Sequence, residues 1–405
     1  MTERIYEKNG DIFDFYAQVT GCTEADGGFE IILDRTAFFP GGGGQRPDSG
    51  VLICGDRTVH VLSADERDGV HVHLTDSPLP AGSTVRGVLD AEKRLCRMQN
   101  HSGEHILSGL AFSMFGCNNV GFHMSEDGSG NVVSVTVDFD RELDGDELVL
   151  LETEANRAVA RKIRFDCFFP SPEELSAMPY RSKKEISGAV RLVSAEGVDL
   201  CACCAPHVSQ SGQIGEIKFI GAMRYKGGMR LTVCCGAAAL RDHRARLAAT
   251  DKISALLSVK DDSLPEGVTR LLEAAENEKK AVRELRSALC DRIFETEMNR
   301  TDGRAGGFRI IFEPLLDQVA RRALAQRVAE YSDCICVIFS GTDGLYDYTA
   351  AAPEKSAESY SLRALASDMR EALGGSGGGN DTVINGRVTA DRQTLESCAL
   401  FKKQE

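Results

Sequence analysis

The 405-residue sequence lacks a long hydrophobic run. Its opening, MTERIYEKNGDIFDF, has no apolar stretch typical of a secretory signal, and no later segment reaches the roughly 18 uninterrupted apolar residues of a membrane span. We therefore expect a cytoplasmic protein that does not bind membranes. With 42% hydrophobic residues the chain can still bury a substantial core, and its length predicts roughly two to four domains.

Positive charge is also scarce. Lys and Arg total 47 against 61 Asp and Glu, and the net charge of −14 disfavours a protein that coats nucleic acid without specificity. Local basic clusters could still contact nucleic acid, although an ordinary solvated surface explains each of them as well. These clusters are Arg224, Lys226 and Arg230, the segment RDHRAR at 241–246, and Arg321, Arg322 and Arg327.

The first two segments of the chain predict an α+β arrangement. Residues 1–90 alternate short β-rich runs with Gly, Asp and Pro, which indicates a small β-barrel or curved sheet. Residues 91–248 begin with helical spacing up to about Phe115, continue with a strand at 131–139, and then show an acidic helix around 143–162. Helices packed against a sheet are the expected core of this second segment.

The last two segments predict a helical arm and a compact α/β domain. Apolar residues of 249–300 recur at heptad spacing, so we expect a helical hairpin or short coiled coil, with its turn at residues 264–267, that either forms a homodimer or packs within the chain. Residues 301–405 alternate strand and helix patterns and contain a glycine-rich turn within 374–388. The predicted fold class is a multidomain α+β protein.

Two glycine clusters stand out. TAFFPGGGGQRPDSG at 36–50 cannot be regular structure, so we expect a loop whose backbone approaches a ligand closely. This loop lacks the Lys-Ser/Thr ending of a P-loop. The cluster that includes Gly377 and Gly378 is either a phosphate site or a flexible turn.

The segment HSGEH at 101–105 matches H-x-x-E-H, a zinc-peptidase motif. In a helix, His101 and His105 share one face. A peptidase would need a further ligand and would use Glu104 to activate water.

A second pair with the same four-residue step lies about a hundred residues later, in LCACCAPH at 200–207. Cys203 and His207, added to the first pair, make a donor set of imidazoles and a thiolate that suits Zn²⁺. Spacing favours Cys203 without excluding Cys201 or Cys204. If all four residues bind, the metal keeps no open position, and Glu104 is then expected to face solvent.

Together with the loop TAFFPGGGGQ and the segment VGFHMSED at 120–127, these pairs resemble the long-form alanyl-tRNA editing proteins of the AlaX type. Those proteins are freestanding relatives of the editing domain of alanyl-tRNA synthetase. The resemblance covers nearly the whole chain. It likens the arm and residues 301–405 to the synthetase's C-terminal, DHH-associated region.

The resemblance implies ATP-independent hydrolysis of the ester that joins serine, or glycine, to tRNA(Ala), with tRNA(Ala) as the partner. It also implies zinc as the cofactor and a pocket formed by the glycine-rich loop. The implied zinc ligands are His101, His105, Cys203 and His207, and the implied pocket residues are Thr36, Gly43, Gly44 and Gln45. The sequence departs from the family pattern at Gly41 and in CCAPH, where Pro206 lacks a hydroxyl and a backbone N–H.

The implied chemistry is physically sensible. A pocket that selects alanine rejects serine weakly, whereas a second site built to hydrogen-bond the serine hydroxyl rejects alanine by about 10⁴-fold. Thr36 is the candidate for reading that hydroxyl, and Gln45 for orienting the ester or the terminal ribose. The role of His123, near the pocket or on the surface, stays open. Two other hypotheses remain: a non-catalytic zinc-dependent tRNA-binding module, and a zinc peptidase.

Overall fold

The computed structural model describes residues 2–182, 188–300, 307–354 and 361–402. The chain forms two compact units, Met1–Lys252 and Ile253–Glu405. None of the helices in these described ranges is long and apolar enough to cross a membrane.

The first unit begins with a closed barrel of six strands in the order β2-β3-β7-β6-β5-β8. Alternating side chains fill its interior with apolar residues such as Val19, Leu33 and Leu52. The short strands β1 and β4 pair in parallel beside the barrel. The strands of this region are β1 (Glu3–Arg4), β2 (Asp14–Ala25), β3 (Gly28–Leu33), β4 (Arg35–Thr36), β5 (Gly50–Cys54), β6 (Arg57–Arg67), β7 (Val70–Thr75) and β8 (Thr84–Leu89).

The rest of the first unit packs two helices on a four-stranded antiparallel sheet, in the order β14-β15-β10-β9. A three-stranded sheet, β11-β12-β13, leads to the segment that contains Cys203. One hydrophobic core joins these elements. They are α1 (Ala91–Phe115), β9 (Asn119–Glu126), β10 (Val132–Phe139), α2 (Gly145–Ala160), β11 (Phe165–Phe168), α3 (Pro172–Ala177), β12 (Leu192–Ala195), β13 (Asp199–Ala202), β14 (Ile217–Tyr225) and β15 (Gly228–Cys235).

The second unit contains a long helix and a five-stranded sheet in the order β16-β17-β18-β20-β19. Helices α5 and α6 share a core with one set of sheet residues, and α7 shares a core with another. Helix α4 begins in the first unit and ends in the second. The elements are α4 (Ala237–Leu257), α5 (Leu264–Met298), β16 (Phe308–Phe312), α6 (Gln318–Ser332), β17 (Ile335–Thr342), β18 (Leu345–Ala351), α7 (Leu362–Leu373), β19 (Ser376–Gly379), β20 (Val383–Val388) and α8 (Arg392–Ser397).

These elements confirm the prediction of a multidomain α+β protein with an N-terminal barrel. The predicted helix up to Phe115, the strand at 131–139 and the helix around 143–162 are also confirmed. The predicted turn at 264–267 is wrong, because these residues form the first turn of α5. Proline at the start of a helix forfeits no hydrogen bond, so Pro265 begins α5 rather than interrupting it.

The glycine-rich turn predicted within 374–388 is only partly correct. Ser376–Gly379 forms the edge strand β19, which pairs with β20. A Cβ at Gly377 would lie 2.1 Å from the Tyr348 hydroxyl oxygen, so an aromatic ring occupies the space that side chains would fill. The glycines thus allow close packing within a sheet.

Candidate functional site

Helix α1 places the two histidines of HSGEH in the core of the first unit. The Asp90 side chain caps the helix by accepting from the Lys93 backbone N–H, and Gly116 ends it in a left-handed conformation. Residues four apart lie on one helix face, and both His101 and His105 are buried. The sequence pattern therefore fixes the first half of the site.

The segment after β13 brings Cys203 and His207 to the same point. The Cys203 Sγ lies 3.6 Å from the His101 Nε2 and 3.4 Å from the His207 Nε2. One ligand atom from each of His101, His105, Cys203 and His207 lies within 4.8 Å of the other three. Three imidazoles and a thiolate at this spacing can hold a tetrahedral metal ion.

Each of the three imidazoles has an oxygen atom beside its Nδ1. The His101 Nδ1 lies 3.2 Å from the Gln45 Oε1, and the His207 Nδ1 lies 3.0 Å from the Ser102 Oγ. The His105 Nδ1 lies 3.0 Å from the Asp199 Oδ2. Such partners fix the tautomer and leave Nε2 as the ligand atom, as in protein zinc sites.

Charge around the site favours a bound cation. Although burial opposes it, hydrogen bonds to His105 and Arg181 hold the pKa of Asp199 below its usual value. Burial lowers the pKa of His207, which keeps that imidazole neutral and able to bind a metal. Burial also raises the pKa of the Cys203 thiol, so a cation is needed there to stabilise the thiolate.

A cavity of about 1070 Å³ opens beside these four residues. Its wall includes His101, His105 and Cys203, together with Gly43 and Gly44 of the glycine-rich loop. The edge strand β9 contributes Val120, Gly121 and Phe122, and the Phe122 ring stacks on His101 with centroids 4.9 Å apart. The cavity is large enough for a small-molecule or nucleotide group.

Two arginines of α1 anchor the glycine-rich loop. The fully buried Arg94 forms an ion pair with Asp48, whose carboxylate also accepts the Phe39 backbone N–H at 2.9 Å. Arg97 donates to the Pro47 carbonyl at 3.0 Å and forms a bidentate pair with Glu126. One helix therefore positions both the histidines and the loop that faces them.

Thr36 is fully buried at the start of this loop. Its hydroxyl lies 2.8 Å from the His73 Nε2 and accepts the Phe38 backbone N–H at 3.1 Å. The His73 Nδ1 lies 3.0 Å from the Ile31 carbonyl oxygen, to which it must donate, so Thr36 donates to Nε2. Gln45 is 3% exposed, and its Nε2 has no hydrogen-bond partner among the described residues.

The prediction that Glu104 faces solvent is wrong. The residue is 2% exposed and lies on the cavity wall between His101 and His105. Helix α1 is covered on several sides by the sheet, by α2 and by β13, so most of its middle residues are buried. His123, by contrast, is exposed on β9.

The predicted nucleic-acid contacts are scattered over the surface and the interior. Arg224 is exposed with Glu142 at 2.9 Å, Lys226 lies over the Tyr225 ring, and Arg230 forms a bidentate pair with Asp138. Gly377 and Gly378 lie in the edge strand β19.

The basic cluster of α6 is less exposed than its sequence suggests. Arg321 is buried and donates to the Leu316 carbonyl at 3.2 Å. Arg327 pairs with Asp291 and lies over the Phe294 ring. Only Arg322 of the three is exposed without such a described contact.

Sequence reasoning missed the oxygen atoms beside the histidines. Ser102 and Asp199 support the ligands, and Asp48 anchors the loop. Asp199 begins β13 four residues before Cys203. Its position as an acidic residue next to the cysteine cluster was the sequence signal that could have identified it. Nothing local marks Ser102 or Asp48.

Two family profiles match parts of the chain. One is described as tRNA synthetases class II (A) and matches residues 7–93. The other is described as threonyl and alanyl tRNA synthetase second additional domain and matches residues 190–232, which contain Cys203 and His207.

Curated relatives match much longer stretches. The chain is 25% identical over 418 residues to the alanyl-tRNA editing protein AlaX-L of Pyrococcus horikoshii, covering 99% of this chain and 98% of that protein. It is 30% identical over 303 residues to the alanine–tRNA ligase of Halobacterium salinarum, covering 72% of this chain. It is also 27% identical over 398 residues to the alanine–tRNA ligase of Archaeoglobus fulgidus, covering 96% of this chain.

The chain spans only 32% and 42% of these two ligases. Among solved structures, the C-Ala domain of Aquifex aeolicus alanyl-tRNA synthetase matches 24% of this chain at 15% identity, with a TM-score of 0.21. That score is too low to define the fold of any part of this chain. The sequence relatives and the two profiles agree, and they confirm that the chain resembles the long-form alanyl-tRNA editing proteins and their relatives, the alanyl-tRNA synthetases.

Proposed function

We propose that the protein hydrolyses the ester that joins a wrong amino acid to tRNA(Ala), with seryl-tRNA(Ala) as the first candidate and glycyl-tRNA(Ala) as the second. The observation that carries this proposal is the convergence of His101, His105, Cys203 and His207, of which the first three lie on the wall of a cavity of about 1070 Å³. Similarity to AlaX-L over 99% of the chain supports it.

We propose zinc as the cofactor. Three imidazoles and one thiolate fit its ligand preference, and each imidazole has an oxygen atom beside its Nδ1 to orient it. Zinc held by all four ligands would order this wall of the cavity, and it would act as a Lewis acid only after exchanging one ligand.

The residues of the chain supply binding and orientation. Gly43 and Gly44 line the cavity, where their lack of side chains lets a substrate approach the loop backbone. We propose that the buried Gln45 Nε2, which has no hydrogen-bond partner among the described residues, donates to the ester or the terminal ribose. A water that attacks the ester carbonyl, aided by the ribose hydroxyl, would give the free amino acid and the free tRNA.

Thr36 remains the proposed reader of the serine hydroxyl. Its proton is directed at His73, so its oxygen would act as a hydrogen-bond acceptor towards serine. Alanine cannot donate to that oxygen. This difference is the discrimination that a second editing site requires.

We also propose a division of labour along the chain. Residues 1–90 supply the barrel and the glycine-rich loop, and 91–248 supply the zinc-binding editing core. Residues 249–300 form the arm, and 301–405 form a DHH-associated domain that binds the tRNA body. The last barrel strand ends at Leu89 and α1 begins at Ala91, which supports the first boundary.

The arm is the proposed homodimer contact. Leu271, Leu272 and Leu285 of α5 are 59%, 65% and 70% exposed, an apolar surface that a second copy would cover. Light scattering should give twice the mass of one chain, and Leu285→Glu should return the mass to that of a monomer.

Two alternative functions can be tested by the same deacylation experiment as the proposed one. A non-catalytic tRNA-binding module would bind tRNA(Ala) without releasing its amino acid. A zinc peptidase is favoured by the position of Glu104 on the cavity wall between the two histidines.

The decisive experiment measures loss of seryl, glycyl and alanyl esters from tRNA(Ala) by the zinc-loaded protein, with casein digestion alongside. Hydrolysis of the seryl ester with the alanyl ester spared supports the proposal. Intact esters with digested casein indicate a peptidase, and bound but intact esters indicate the binding module. His101→Ala should lose both zinc and deacylation, and a fully active zinc-free variant would contradict the role given to this site.

A further inference from the structure

Phe169 exposes an aromatic ring on the wall of the cavity. It directly follows β11 and is 49% exposed. It lines the same cavity of about 1070 Å³ as His101, His105 and Cys203. Isolated exposed apolar side chains are common on protein surfaces, so exposure alone indicates nothing. The position of Phe169 beside the candidate metal ligands distinguishes it from such residues.

Val120 extends this apolar surface from a different sheet. It lies on the edge strand β9, lines the same cavity and is 64% exposed. On the same wall, His101 and His105 are only 3% and 2% exposed. The wall therefore runs from a buried end, where the candidate metal ligands lie, to a solvent-facing rim that includes Phe169 and Val120. Such a rim favours a ligand with an apolar face at its outer end.

A guanidinium group also lies on this wall. Arg191 is 6% exposed, and it donates at 3.0, 2.8 and 2.9 Å to three backbone carbonyls, those of Glu7, Cys203 and Ala205. These contacts hold its positive charge beside the segment that contains Cys203. The wall thus combines candidate metal ligands, a cation and an exposed aromatic ring.

The last nucleotide of an aminoacylated RNA has parts that match this wall. The ester and the base are attached to one ribose, so an ester held at the histidines brings a base close to them. The phosphate on that ribose is negative, opposite in charge to Arg191. Bases of single-stranded RNA bind proteins by stacking on aromatic side chains. A cavity of about 1070 Å³ has room for a nucleoside and its amino acid.

We propose that Phe169 stacks on the terminal base of the aminoacylated RNA, with Val120 beside it at the rim. This inference rests on the proposed function and deepens it by assigning the residue that holds the terminal base. Every base has an aromatic face, so stacking contributes affinity and orientation without reading the identity of the base. The amino acid is then selected by other residues, at the buried end of the cavity.

The experiment compares two substrates that differ only in the terminal base. One is seryl-tRNA(Ala), and the other is the same ester on a tRNA(Ala) whose terminal ribose has hydrogen in place of its base. Phe169→Ala should lower kcat/KM for the complete substrate by about 5- to 150-fold, because the stacking contact is lost. It should change kcat/KM for the baseless substrate by less than about threefold, because that substrate has no ring to stack.

Control variants separate stacking from a general loss of structure. Phe112→Ala is the matched control, because Phe112 is 50% exposed on α1 and lies outside the described wall of the cavity. It should leave kcat/KM for both substrates unchanged. Phe169→Trp keeps an aromatic face, so it should keep the wild-type preference for the complete substrate. This variant tests the inference even if Phe169→Ala folds poorly.

Equal losses on both substrates in Phe169→Ala would overturn this inference and assign Phe169 to the fold. A loss of the preference in Phe169→Trp would overturn it too, and so would an active wild type that hydrolyses the two substrates equally well. A wild type that hydrolyses neither seryl- nor glycyl-tRNA(Ala) would overturn the proposed function, and this inference with it.

Discussion

The oxygen atoms behind the histidines distinguish this cluster from a chance meeting of side chains. Gln45, Ser102 and Asp199 come from a loop, a helix and a strand, yet each places an oxygen beside a histidine Nδ1. Of the three, Asp199 alone is charged, and Arg181 holds it with contacts of 2.7 and 2.8 Å. Asp199 should therefore contribute more to metal binding than the two neutral partners.

Asp199→Asn should weaken zinc binding by about 10- to 100-fold, because the neutral amide no longer raises the basicity of His105. Competition with a chromogenic chelator measures the affinity. Asp138→Asn is the matched control, since it breaks a similar bidentate arginine pair, with Arg230, that lies outside the histidine cluster. If both variants bind zinc as the wild type does, Asp199 does not support the ligand.

His73 should make the protein sensitive to acid. Burial lowers its pKa to about 4, against an unfolded value of about 6.5. Below pH 6.5, His73 binds a proton in the unfolded chain. In the folded chain, His73 stays neutral until the pH falls to about 4. The free energy of unfolding should therefore fall by about 3 kcal/mol across this range, with full stability above pH 6.5.

Urea unfolding at a series of pH values measures this effect. His73→Gln should be less stable at pH 7, because Thr36 and the Ile31 carbonyl lose their partner, but its stability should fall less steeply with acid. His60→Gln removes an exposed histidine of β6 and should keep the wild-type slope. An unchanged slope in His73→Gln would show that other groups cause the acid sensitivity.

At the scale of elements, the glycine-rich loop depends on both backbone freedom and close contact. Gly44 has a φ of +86°, and a Cβ there would lie 2.7 Å from the Phe122 ring. Gly55, in the hairpin between β5 and β6, has a φ of +57°, and a Cβ there would meet no atom of the described residues within 4 Å. Both positions have a backbone conformation that strains any side chain placed there, and they differ in packing.

Gly55→Ala should cost about 1–2 kcal/mol of stability and leave activity unchanged. Gly44→Ala should cost more and lower kcat/KM for the seryl ester by about 10- to 100-fold, because Phe122 must move away from its stack on His101. Urea unfolding and deacylation kinetics separate the two effects. Equal activity in both variants would mean that the contact with Phe122 does not position the site.

The sequence predicted what depends on local pattern. Apolar periodicity identified α1, and alternation identified β10, because each pattern reflects the face that an element buries. The burial of Glu104 could not be predicted from periodicity, because it depends on β13 and β9, which cover the helix. The pairing of Asp199 with His105 across 94 residues likewise has no local signal. The two four-residue steps predicted the cluster, whereas its supporting atoms required the fold.

At the scale of the whole molecule, the proposed binding of tRNA by a chain with a net charge of −14 would depend on a few local cations. On α6, Arg321 is buried and Arg327 is engaged with Asp291, so the exposed Arg322 is the residue best placed to meet a phosphate.

Arg322→Glu should weaken binding of tRNA(Ala). It should also make the negative slope of log affinity against log salt shallower by about 1, because one phosphate contact is lost. The loss should be similar for other tRNAs, because a phosphate contact reads charge rather than base. Arg57→Glu, a charge reversal at an exposed residue of the barrel, serves as the control. Filter binding over a range of salt concentrations measures both quantities.

Deacylation by Arg322→Glu distinguishes the roles of the two units. If the second unit holds the tRNA body while the first unit holds the ester, the variant should show a higher KM with an unchanged kcat at saturating substrate. Saturating substrate restores the rate because the residues around His101, in the other unit, are untouched. A salt slope and KM equal to those of Arg57→Glu would place the tRNA contacts elsewhere and remove α6 from the binding surface.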